Sequence, residues 1–171
     1  MRTLPDYLRR GMKLVIVGMN PSEQGARVGH YYAGRGNVFW TLLYEGGVVA
    51  EHLTYNDDRR IIEFGIGLTN LVSRPTKTEE EITREEFGEG RILLAQKIEQ
   101  FTPRVVAFNG KSTYEKFAQR IGAYGLQDQS VYGARLFVLP STMGAEATVR
   151  GQKVRYFKQL AKVLAGANGK P

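Results

Sequence analysis

The sequence predicts an α/β protein of one domain, a three-layer α/β/α sandwich around a central, mainly parallel sheet. Three observations predict it. Short apolar runs without alternation, such as Leu14-Val15-Ile16-Val17, are what strands buried on both faces require. Segments with helical spacing separate these runs, which is the order of a parallel sheet covered on both sides. Finally, no repeat, low-complexity tract or Pro/Ser-rich linker divides the 171 residues, a length ordinary for one core.

Lys13 to Val17 reads as the first strand, Ile66 to Leu68 as a weaker second, Arg104 to Phe108 as the third and Arg135 to Leu139 as the fourth. Helical patterns fall at Asn37 to Tyr44, Thr83 to Phe101 and Ser112 to Ile121. The second of these opens with Thr83-x-x-Glu86, a capping box whose hydroxyl and carboxylate satisfy first-turn N–H groups. From Arg150 a last helix places Val154, Phe157, Leu160, Ala161 and Leu164 on one face and Arg155, Lys158 and Lys162 on another. One domain is expected over residues 1–171, ending in a short disordered tail at 166–171.

The chain carries 24 Lys and Arg against 17 Asp and Glu, a net charge of +7, and its pI is near 9.7. Six of the basic residues lie from Arg150 onward with no acidic one among them, whereas Glu79, Glu80, Glu81, Glu85, Glu86 and Glu89 cluster in mid-chain. This polarised surface suits a polyanionic partner, although charge blocks are also common on solvated helix faces. With no cysteine, disulfides, thiolate zinc sites and cysteine nucleophiles are excluded. No apolar run approaches the ~20 residues of a spanning helix, and Leu14 to Val17 is too short for a signal-peptide core. A cytoplasmic protein without a membrane partner is expected.

Several chemistries fail on spacing. Gly110-Lys111-Ser112 has the tail of a phosphate-binding loop, but Val105 stands where its first glycine belongs. No dinucleotide fingerprint follows the first strand, and Gly-x-Ser-x-Gly is absent. His30 and His52 have no second ligand at metal spacing, so no metal and no cofactor are expected.

Open α/β sheets bind ligands beyond the carboxyl ends of their strands. The segments there are Gly18-Met19-Asn20-Pro21-Ser22, Thr69-Asn70-Leu71-Val72, Asn109-Gly110-Lys111-Ser112 and Pro140-Ser141-Thr142-Met143-Gly144. Glycine allows close backbone approach, and amides and hydroxyls offer uncharged hydrogen bonds. On these features alone a flavodoxin-like nucleotide- or small-molecule-binding protein and a noncatalytic DNA-binding protein both remain open.

Gly18-Met19-Asn20-Pro21-Ser22, followed by Tyr31-Tyr32-Ala33-Gly34-Arg35-Gly36-Asn37-Val38-Phe39-Trp40, resembles the first motif of the mismatch-specific uracil-DNA and thymine-DNA glycosylases. There the pattern is Gly-Ile-Asn-Pro-Gly, then an aromatic residue and Asn-x-Phe-Trp. Gly67 to Thr76, Gly110-Lys111 and Val138-Leu139-Pro140-Ser141 are similar to later family segments in the same order.

The resemblance implies a uracil-DNA glycosylase-like fold and a monofunctional hydrolase that excises uracil, and thymine or other modified bases, from mismatched DNA. Its partner would be double-stranded DNA with G·U or related mismatches, or single-stranded DNA, bound by a monomer. Asn20 would orient the attacking water, since an amide has no titratable proton with which to act as a strong base. Gly18, Met19, Tyr32 and Asn70 would form the base pocket, with Tyr32 stacking on the flipped base and backbone N–H groups near Met19 and Tyr32 facing the anionic leaving group. Ser141, Thr142, Met143, Gly144 and Ala145 would form the loop that enters the duplex, with Met143 or Ala145 as the wedge. Lys111, Arg150 and Lys153 would contact phosphates. Vigorous uracil-DNA glycosylases place an aspartate in the first turn and a histidine in the later motif. Here Asn20 stands in the first place and no histidine lies near Ser141, which implies a slow, base-tolerant enzyme. Ser22 replaces the last glycine of the first motif.

Overall fold

Each strand expected from an apolar run is present, and the sheet holds one more. The structure, a computed structural model, describes residues 2–144 and 150–167. In chain order the elements are β1 (Leu14–Gly18), α1 (Glu23–Val28), α2 (Phe39–Glu45), a 3-10 segment (Tyr55–Phe64), β2 (Ile66–Asn70), a short 3-10 turn (Glu79–Glu81), α3 (Arg84–Phe101), β3 (Val105–Asn109), α4 (Lys111–Ala118), β4 (Gly125–Val131), β5 (Ala134–Leu139) and α5 (Arg150–Ala167). The sheet order is β2-β1-β3-β5-β4. Four strands run parallel, and β4 pairs antiparallel with β5.

Alternate residues of the same strands feed two cores, which explains why the runs are apolar throughout. Leu14, Ile16, Leu68, Ala107, Phe137 and Leu139 pack with Leu42 and Leu43 of α2 and with Phe157 and Leu160 of α5. Val15, Val17, Val106, Phe108, Leu136 and Val138 face Leu94 and Ile98 of α3 and Tyr114 of α4. Burying each Val, Leu, Ile or Phe among them contributes about 1.5–3 kcal/mol.

The strand not expected from sequence is β4. It lies at the edge of the sheet and reads Gly-Leu-Gln-Asp-Gln-Ser-Val, with Leu126, Asp128 and Ser130 exposed, so it shows no continuous apolar run. Its hairpin turns through Tyr132 at φ 47° and Gly133 at φ 82°, the two left-handed residues that a tight two-residue hairpin demands. The helix expected at Ser112 to Ile121 ends at Ala118, because Gln119 adopts a left-handed cap at φ 55°. Helix α5 continues through Gly166 and Ala167, and residues 168–171 of the expected tail lie outside the described residues.

The N-terminal segment covers the outer edge of β2. Tyr7 and Leu68 exchange both backbone hydrogen bonds at 2.9 Å. Nearby, the Thr69 hydroxyl donates to Asp6 at 2.7 Å, and Lys97 of α3 pairs with the same carboxylate. No helix among the described residues is long and apolar enough to cross a membrane.

Candidate active site

The register brings the carboxyl ends of the parallel strands together, with Gly18 opposite Asn70 and Asn109 opposite Leu139. A cavity of about 210 Å³ opens there, and Gly18, Met19, Asn20, Tyr32, Asn70, Ser141, Thr142 and Met143 all line it. Gly144 is exposed beside it at φ 90°. Ala145 lies outside the described residues, as does the comparison between it and Met143 as a wedge.

Asn20, two residues beyond β1, is held by its amide nitrogen. Nδ2 donates to the Arg74 carbonyl at 2.9 Å and to the Thr76 hydroxyl at 2.8 Å. The Thr76 hydroxyl donates its own proton to the Thr78 carbonyl at 2.8 Å, so toward Asn20 it can only accept. Both amide protons are thereby used. Oδ1 takes part in no hydrogen bond among the described residues and is the end of the amide left for a ligand.

Next to Asn20 the backbone of β1 must lie bare. A Cβ on Gly18 would stand 2.5 Å from Asn70 Oδ1 and 3.0 Å from the Tyr32 hydroxyl, so these two side chains meet over a residue that only glycine can be. Tyr32 itself sits at φ 55° and stacks on Phe39, ring centroids 3.8 Å apart. Its hydroxyl is buried without a well-formed hydrogen bond, although Asn109 is adjacent. Burial pushes the phenol far above its ordinary range, so Tyr32 is neutral at any physiological pH.

Asn109 is committed elsewhere. Its Nδ2 donates to the Thr142 hydroxyl at 3.0 Å and its Oδ1 accepts from the Thr142 backbone at 3.2 Å. Thr142 then donates to Asn37 at 2.8 Å, and Asn37 accepts the Phe39 N–H at the start of α2. This chain ties the loop after β5 to β3 and to the aromatic segment. Trp40 braces the same segment by donating to the Tyr31 carbonyl at 3.1 Å.

The residues matched by the family model of the uracil DNA glycosylase superfamily run from 5 to 165. The chain belongs to that superfamily. The solution structure of a candidate uracil DNA glycosylase from Methanosarcina acetivorans shares the fold, with a TM-score of 0.66 and 22% identity over 96% of this chain and 98% of that one.

Within this superfamily fold the position of Ser22 has a local cause. Its hydroxyl caps α1 by accepting the Gly25 N–H at 2.9 Å, and its backbone bridges to Thr76. Two features of the cavity wall leave no mark on the sequence. His30 lines it and bonds through Nδ1 to Asp58 at 3.0 Å, and the same buried carboxylate accepts the Tyr31 N–H at 2.9 Å. Their separation of 28 positions hid the pair. Glu79 also lines the cavity and accepts from the Ser112 hydroxyl at 2.5 Å, which joins the β2–α3 connection to the first turn of α4. In sequence Glu79 looked like one member of a charge block.

The three expected phosphate contacts have different surroundings. The Lys111 ammonium lies 4.3 Å above the Tyr124 ring, and Arg150 pairs with Glu45 at 2.5 Å. Lys153 is only 6% exposed. It shares the inward stripe of α5 with Phe157, Leu160 and Leu164, at a spacing of four, seven and eleven. Among the described residues no three His, Asp or Glu side chains gather as a metal site would require.

Proposed function

We propose that this member of the superfamily is a monofunctional DNA glycosylase that removes uracil from DNA by hydrolysing the N-glycosidic bond, the opening step of base excision repair. Its preferred substrate is a G·U mismatch, with thymine or other modified bases and single-stranded DNA as further substrates, and it acts as a monomer on intracellular DNA. The observation that carries this reading is the fixed amide of Asn20, a residue lining the cavity at the strand ends, whose Nδ2 is committed to the protein and whose Oδ1 is left without a bond among the described residues.

In this mechanism the target nucleotide leaves the helix and its base enters the cavity. The extrusion costs a few kcal/mol, less for a mispaired base. The free face of Tyr32, backed by Phe39, stacks on the base and offsets part of that cost. Asn70 offers an amide to the base edge. Asn20 Oδ1 accepts a hydrogen bond from a water and aims its lone pair at C1′ of an oxocarbenium-like sugar. The C–N bond breaks, the base departs as an anion toward backbone N–H groups near Met19 and Tyr32, and the water's proton passes to solvent. As an amide, Asn20 orients the water but is no strong general base, which accords with a slow enzyme. Met143, exposed at the rim, is the apolar side chain in the described part of the wedge loop.

Incubation with duplexes carrying uracil opposite guanine or adenine, followed by alkaline cleavage of abasic sites, tests the proposal. Cleavage at uracil, faster opposite guanine and resistant to EDTA, is expected. Failure on every uracil-containing duplex and single strand would overturn it.

A further inference from the structure

The catalytic role given to Asn20 raises the question of what holds the atoms that hold it. The rotation of an amide about its last side-chain bond exchanges a donor for an acceptor, so an asparagine presents its oxygen to a water only if the nitrogen end meets fixed acceptors. The Arg74 carbonyl can do nothing but accept, and it stands 2.9 Å from Nδ2. Its position depends on the connection between β2 and α3, a stretch with no extended secondary structure of its own.

That stretch is clamped at Arg74 itself. Nε donates to Glu86 Oε2 at 2.9 Å, Nη2 donates to Glu86 Oε1 at 2.9 Å, and Nη2 also reaches the Glu81 carbonyl at 2.8 Å. The pairing is the planar, two-toothed arrangement that Arg makes and Lys does not. Glu86 is itself fixed, because it is the third residue of the α3 capping box. It accepts from the Thr83 N–H and hydroxyl, while its own N–H bonds the Thr83 hydroxyl at 3.1 Å. Phe87, the next residue, is buried in the core beneath α3. A rigid line therefore runs from the core through the start of α3, across the guanidinium to the Arg74 carbonyl, and ends on the amide of Asn20.

We infer that Arg74 is a positioning residue for Asn20, and that the Arg74–Glu86 clamp sets which end of the Asn20 amide faces the cavity. This inference rests on the glycosylase reading. A displacement of ~1 Å at such a site can cost ~10²-fold in rate, whereas an exposed ion pair acting only on stability has little effect on turnover.

The test measures single-turnover uracil excision for Arg74→Ala and Glu86→Gln, each alone and combined with Asn20→Asp. Gln at position 86 can still complete the capping box, so it loosens the clamp while sparing the helix start. Both single variants are expected to lose ~10- to 100-fold in rate at near-normal duplex affinity. With Asn20→Asp the penalty shrinks to ~2-fold, because a carboxylate has no amide end to orient. Independently of activity, the side-chain amide protons of Asn20, followed by NMR, should shift and exchange faster with solvent in both variants. Equal penalties in the two backgrounds, or unchanged Asn20 amide resonances, would overturn the inference. If Asn20→Ala itself left the rate untouched, the glycosylase role of Asn20 would fall, and the amide resonances would still report on the clamp.

Discussion

Tyr32 and Phe39 lie stacked at 3.8 Å with 24° between their planes, while the Tyr32 hydroxyl points to the bare backbone of Gly18 without a hydrogen-bond partner. A ring held by its neighbour and a phenol left unpaired separate two properties that one residue usually combines.

Tyr32→Phe should therefore fold at least as well as the parent chain. It keeps the stack and removes an unpaired buried hydroxyl, whose desolvation costs about 1–3 kcal/mol. Calorimetry should show a Tm that is equal or higher, by ~2–4 °C per kcal/mol for a chain of this size. A fall of more than ~2 °C would mean that Asn109 bonds the hydroxyl after all. Tyr32→Leu, in contrast, should weaken uracil excision by removing the ring.

Asn20→Ala should lower single-turnover excision by at least ~10²-fold, about 2.7 kcal/mol of transition-state stabilisation, with duplex affinity nearly intact. Asn20→Asp should retain uracil excision, since a carboxylate polarises water more strongly and the Thr76 hydroxyl can turn its proton from the Thr78 carbonyl toward it in place of the lost Nδ2 contact. Unchanged kinetics in the alanine variant would shift the water-orienting role to another residue.

Duplex affinity should fall with salt, each phosphate contact adding a slope of roughly −0.9 in log K against log salt. Arg150→Ala is expected to reduce that slope and to weaken normal and uracil-containing duplexes alike. Glu45→Gln, which frees Arg150 from its partner, should strengthen both. Lys153→Met should leave the slope unchanged because the side chain is buried, and Lys162→Ala, far along α5, should do little. Fluorescence anisotropy at several salt concentrations would read all four. A steeper loss for Lys162→Ala than for Arg150→Ala would put the DNA on another face.

The Arg74 guanidinium, and secondarily the Thr83 bonds, hold the Glu86 carboxyl down at about 2 against an ordinary value of 4.5. A depressed carboxylate pKa contributes stability that is complete above the unfolded value and is lost as pH falls through the folded one. Glu86→Gln should thus melt below the parent chain at pH 7, and the gap should close as pH falls from 4.5 toward about 2. A gap that stays constant over this window would show that the ionised form of Glu86 contributes nothing.

Much of this arrangement was legible in the sequence because it rests on local patterns. The apolar runs gave four strands, and Thr83-x-x-Glu86 marked the first turn of α3. The first-motif residues Gly18, Met19, Asn20 and Tyr32 gather around one cavity as the strand-end argument requires. What escaped was long-range or polar. Strand β4 is half-exposed and needs only β5 as a partner, so hydrophobic periodicity carries no trace of it. The Asp58 carboxylate looks like one more surface acid until the fold brings it against His30 and the Tyr31 backbone. Lys153 is buried although charged, and only its spacing of four from Phe157 hints at the inward stripe it shares.

The pairing of Tyr7 with Leu68 has a consequence for how chains meet one another. An outer strand with free N–H and C=O groups is a template on which a second polypeptide can assemble, and β2 would offer an apolar one. Tyr7 saturates both groups of Leu68 midway along the strand. The opposite margin is guarded chemically, by the outward Asp128 and Ser130 of β4. Loss of the first ten or so residues would strip one guard and leave the other, converting a self-limited sheet into one prone to edge-to-edge aggregation.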